Sequence, residues 1–173
     1  MLVFALALAV CGFFSAMMCG LQREGNPLLA LAAGVPFAIA TGCVRAVAGQ
    51  SPWAAAVAIP LWPFTFFLAS GLSLGISTYA AVSVAGFIGS ISVALIHSVG
   101  SKVTNIGTEL LAISLAGAIS ALPFGTLASM RQYDARHALF SIAGFVAWEV
   151  AVGTTLYWFT YRNAMSDAPS GLR

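Results

Sequence analysis

Polar residues in this chain come in short clusters, and the stretches between them stay apolar on every side for about twenty residues. Neither the spacing of an amphipathic surface helix nor the alternation of a half-buried strand runs through them. Segments of that length and uniformity predict helices in lipid, because a helix satisfies every backbone N–H and C=O within itself. A membrane barrel would instead show segments of roughly ten residues that alternate polar and apolar positions.

Breaks at Gly, Pro and polar clusters divide the apolar sequence into six spans, at 2–20, 27–47, 53–70, 76–99, 106–130 and 137–161. Pro27 suits a helix start, where its missing N–H costs nothing. The expected fold is all-α: a polytopic membrane helix bundle of six transmembrane helices with short loops, one domain over 1–161, and a polar C-terminal tail at 162–173. The third span is the least regular. Pro60 and Pro63 each remove a backbone donor and clash one turn back, so a kink or broken helix is expected there, with these two residues as its hinge. A re-entrant 53–70 would leave five crossings.

Composition supports a lipid setting. Of the 173 residues 60% are hydrophobic and 7% charged, whereas a soluble domain carries about 25% charged residues. A net charge of +2 without a run of like charge excludes a nucleic-acid partner, which needs clustered Lys and Arg. Cys11, Cys19 and Cys43 lie in apolar stretches without Cys-x-x-Cys spacing, so they read as buried free thiols, and no metal or cofactor is expected. No Lys or Arg precedes Arg23, so the first span reads as retained and not as a cleaved leader.

Six spans place both termini on one side. That side carries Arg45, Lys102, Arg162 and Arg173, against Arg23, Arg131 and Arg136 on the other. The excess of one favours a cytoplasmic location for the termini, in what we expect to be a bacterial inner membrane. Small residues recur every four positions at Gly86-Ser90-Ala94, Gly117-Ala121-Gly125, Ala112-Ala116-Ser120 and Ala143-Ala147-Ala151. Stripes of this kind let helix backbones approach, within one chain or between copies.

Candidate chemistry is sparse. Glu149 lies near the middle of the sixth span, and its own helical face (Ile142, Phe145, Val146, Val152, Gly153, Leu156) offers no partner. A carboxylate at that depth is expensive and reads as a functional group by default. It would suit proton coupling or cation binding; its bland counterpart is a carboxyl hydrogen-bonded to a neighbouring helix. Trp148 and Trp62 lie deep enough to wall a cavity beside it. Arg45, His97, Lys102 and Glu109 form a second group at the side of the termini, fit for a gate or a substrate-carboxylate site, or for ordinary interfacial snorkelling. His97 and His137 fall at opposite ends of the bundle, which argues against a haem held between them. Gly71-Leu72-Ser73-Leu74-Gly75 matches a hydrolase nucleophile pattern, but Ser73 and His97 stand roughly 36 Å apart along a helix.

Transport of a small solute or ion, proton-coupled through Glu149, is the expected function. The alternative is a non-catalytic membrane subunit or assembly factor of a larger complex. The expected partners are the lipid bilayer and either further copies of the chain or partner membrane subunits. Catalysis is not expected, since an embedded enzyme needs more polar groups than these spans hold.

Overall fold

The computed structural model describes residues 1–21, 32, 34–47, 51–57, 64, 72, 75–98, 105–129 and 135–166. Among these residues all regular structure is helical, with no strand. The elements are α1 (Leu2–Leu21), α2 (Val35–Val47), a 3-10 helix (Pro52–Val57), α3 (Thr78–Ser98), α4 (Ile106–Ser120), α5 (Leu122–Ser129) and α6 (Ala135–Ser166).

Three stretches are long and apolar enough to cross a membrane: Thr78–Leu95, Ile106–Thr126 and Ala138–Asn163. Their 18, 21 and 26 residues correspond to about 27, 31 and 39 Å of helix, against a hydrocarbon core of about 30 Å. Leu2–Met18 and Val35–Ala46 are shorter apolar helices. Pro60, Trp62 and Pro63, with the hinge expected there, and Lys102 lie outside the described residues.

Helix ends follow local chemistry. The Ser77 hydroxyl accepts the Ala80 N–H at 3.3 Å at the start of α3, and Asn105 Oδ1 accepts the Thr108 N–H at 3.3 Å at the start of α4. The fifth predicted span, 106–130, is matched by the apolar crossing Ile106–Thr126, which is interrupted locally. It breaks between α4 and α5 at Ala121, because Pro123 has no N–H for the ladder and its ring crowds the preceding turn. The Ala121 N–H still reaches Gly117 O at 3.1 Å, and the Phe124 N–H closes a tighter turn on Ala121 O at 3.0 Å. At the other end of the chain, α6 continues through Ser166, so the first residues of the expected tail are helical.

Small residues set how closely the helices pack. α1 runs antiparallel to α6: Phe4 stacks on Tyr157 with ring centroids 4.9 Å apart, Leu8 covers Gly153, and Gly12 lies on the backbone of Val146. A Cβ on Gly12 would meet Val146 Cα at 2.7 Å. α3 and α4 also cross antiparallel, where Gly86 and Ser90 face Gly117 and Ala121. Two of the expected stripes meet there, and Gly125 continues the contact beneath Tyr79. On α6 the close approaches fall at Gly144, under the Phe124 ring, and at Gly153. Of the predicted stripe Ala143-Ala147-Ala151, Ala143 is exposed and Ala147 and Ala151 are half-buried.

The core between these helices holds Phe37, Val93, Ile113, Trp148, Val152 and Leu156. Leu2, Val3, Leu6, Val10, Phe13, Phe14 and Met17 on α1, and Leu111, Leu115 and Ile119 on α4, point outward. An apolar exterior over a close-packed interior is what lipid as solvent demands.

Candidate functional site

Hydroxyls inside the apolar helices are mostly turned back on their own backbone. Thr41 donates to Phe37 O at 2.9 Å, Ser90 to Gly86 O at 2.7 Å, Ser120 to Ala116 O at 2.6 Å and Thr155 to Ala151 O at 2.7 Å. Each satisfies itself within one turn, so polarity in these sequences marks no pathway by itself.

Glu149 differs. It lies in Ala138–Asn163, is completely buried, and its side chain is among the largest so enclosed. The Ser15 hydroxyl of α1 donates to its Oε1 at 2.5 Å. Its Oε2 is also buried and has no hydrogen-bond partner among the described residues. The antiparallel α1–α6 contact makes this pairing: Gly12 is pressed on Val146, Ser15 lies one turn further along the same face of α1, and the Glu149 side chain reaches back along α6 to meet it. Cys11 lies within electrostatic reach of the carboxyl from the same face of α1. Trp148, next in sequence, is directed elsewhere and packs on Phe37 with ring centroids 5.2 Å apart at 57°.

The second group gathers at one end of the bundle. Arg45, His97 and Glu109 are all buried there, at 2%, 6% and 8% exposure, values that separate them from snorkelling interfacial residues. Arg45, in the last turn of α2, donates Nε to Ser51 O at 2.8 Å and Nη1 to His97 O at 2.7 Å. His97 O belongs to the last turn of α3, where carbonyls lack intrahelical partners, so the guanidinium caps that helix and complements its dipole. His97 Nε2 and Thr160 Oγ1 are 2.7 Å apart. Thr160 also donates to Leu156 O at 2.9 Å, which leaves its oxygen to accept from an Nε2–H tautomer. Glu109, in the first turn of α4, accepts from Asn163 Nδ2 through Oε1 at 2.9 Å.

The structure therefore joins Arg45 to the His97 carbonyl and gives Glu109 a partner on α6, Asn163. A small cavity of about 10 Å³, room for about one water, is walled by His97, Ser98, Glu109, Ile113, Leu156 and Phe159 among others. Sequence reasoning missed Ser15, Thr160 and Asn163. A hydroxyl in an apolar span carries no signal of its direction, and Asn163 falls in the expected polar tail. No group of three His, Cys, Asp or Glu side chains fit for a metal ion occurs among the described residues.

No family model matches this chain, and no curated protein or solved structure matches it at a significant level.

Proposed function

We propose that the protein is a small integral membrane transporter or channel that moves a small solute or ion, with Glu149 as its proton- or cation-handling group. The observation that carries this reading is a fully buried carboxyl at the middle of a 26-residue apolar helix, with one oxygen bonded by Ser15 and the other unpartnered among the described residues. Keeping a carboxyl there costs several kcal/mol unless it is protonated or paired, and such positions are typical of ion and proton pathways.

The same proposal holds six crossings in a bacterial inner membrane with both termini cytoplasmic. α2 and α3 both end beside the Arg45–His97 contact, whereas α3 begins beside Tyr79 and Thr126 at the far end. Two successive helices with the same direction favour a further crossing between them. The Phe4–Tyr157 stack, which sets the start of α1 beside the last turns of α6, favours termini on one side.

Purified protein in liposomes holding a pH-sensitive dye tests the function. Wild type should dissipate an imposed proton or alkali-cation gradient, and Glu149→Gln should lose that flux. Flux no greater than in empty liposomes would overturn the proposal. The subunit reading has its own support in the density of the bundle, whose cavity beside Glu109 admits about one water, and in the apolar exterior of α1. Foreign membrane subunits copurifying in mild detergent at fixed stoichiometry would establish that second reading.

A further inference from the structure

The hydroxyls of the bundle divide by where they spend their hydrogen. Thr41, Ser90, Ser120 and Thr155 each give it to a carbonyl one turn back on their own helix. Ser15 gives it across to α6, to Glu149 Oε1. Both side chains are completely enclosed. The helices have no slack beside them, since a Cβ on Gly12, one turn before Ser15, would meet Val146 Cα at 2.7 Å. A neutral carboxyl carries its hydrogen on one oxygen and accepts through the other. With Oε1 engaged as the acceptor for Ser15, that hydrogen falls on Oε2, the oxygen without a hydrogen-bond partner among the described residues. A hard metal ion, by contrast, needs about six oxygen ligands. The described contacts of the Glu149 carboxyl supply one hydroxyl, turned toward it by its hydrogen, and the Cys11 thiol within electrostatic reach.

We propose that the ion handled at Glu149 is the proton, carried on Oε2, and that Ser15 is the positioning residue that keeps it on that oxygen. This rests on the reading of Glu149 as an ion-handling group and narrows its ion to one. Loading forms the Oε2–H bond with a proton drawn from water, and unloading returns that proton to water. No other bond is made or broken, and Ser15 holds its own hydrogen on Oε1 throughout. The exchange of this proton with water is what separates a working acid from a carboxyl that only ties α6 to α1.

Infrared spectroscopy of the purified protein in detergent reads the carboxyl without requiring transport. The C=O band of protonated Glu149 is assigned by its loss in Glu149→Gln. It should move to lower frequency in D₂O, as Oε2–H exchanges, and keep its intensity when sodium, lithium or potassium chloride is added at constant pH. These two readings use the wild-type protein and decide the matter even if the variants do not fold. Ser15→Ala should move the band to higher frequency, because a C=O relieved of its hydrogen bond stiffens, and Ser15→Thr, which keeps the hydroxyl, should restore it. The absence of a protonated band, a band that D₂O leaves in place, or one that an alkali cation removes overturns the proposal, as does a Ser15→Ala band at the wild-type frequency. In liposomes, alkali-cation flux that Glu149→Gln abolishes, without proton flux, would overturn the proton and keep the transport function. The expected bands in a protein without liposome flux would uphold the exchanging proton on Oε2 and remove the transport function.

Discussion

At the scale of single residues, the burial of Glu149 and Arg45 carries the most information, because an ionisable group away from water depends on the partners the fold gives it. Ser15 satisfies one carboxyl oxygen of Glu149. Ser15→Ala should destabilise the protein by about 1–3 kcal/mol, the cost of leaving a buried polar atom unmade, read as a lower thermal midpoint in detergent. Adding Glu149→Met to Ser15→Ala should recover most of that loss, since removing both partners leaves nothing unsatisfied. Arg45→Met strips the donors from Ser51 O and His97 O together. The expected loss is about 1.5–3 kcal/mol for a hydrogen-bonded charged group. It should be accompanied by faster amide exchange in the last turn of α3, which a general loss of packing would not confine there.

At the scale of the elements, the α3–α4 crossing is decided by absent side chains. A Cβ on Gly117 would overlap Ser90 Oγ and come within 2.7 Å of Gly86 O, which is backbone and cannot move aside. Gly117→Val should cost about 1–3 kcal/mol or more by overpacking. Gly107→Ala, in the exposed first turn of α4 with only Asn105 Oδ1 at 3.9 Å, should be neutral or stabilising by up to about 1 kcal/mol. Thermal unfolding of the two variants in one detergent checks the contrast. The Gly86-Ser90 and Gly117-Ala121 stripes were legible in the sequence because small residues at four-residue spacing line one side of a helix. The tight positions on α6 were not. Gly144 and Gly153 stand outside its alanine stripe, and the large side chains Phe124 and Leu8 sit over them in room that a Cβ would fill.

At the scale of the whole molecule, three helices are long and apolar enough to cross a membrane, and the bundle turns large apolar side chains outward. Lipid contact should follow that surface. Trp158 is 52% exposed and Trp148 is 6% exposed on the same helix. In proteins retaining one tryptophan each, brominated acyl chains should quench Trp158 strongly and Trp148 weakly. Equal quenching would mean that the α6 interior seen here is open to lipid.

An all-helical membrane protein with a costly acid in its last span could be read from the order of residues alone. Backbone groups in lipid have no water to turn to, so uniform apolar stretches of this length leave helix as the available form, and the expense of a carboxyl there is a property of the residue and its depth. The partners of that acid, the pairing of Arg45 with the end of α3, and the break at Ala121 were decided by tertiary structure. Ser15 and Glu149 are 134 residues apart, and which hydroxyl meets the carboxyl depends on the rotation and register of two helices. Those are set by a few close approaches, above all Gly12 on Val146, which hydrophobicity does not encode.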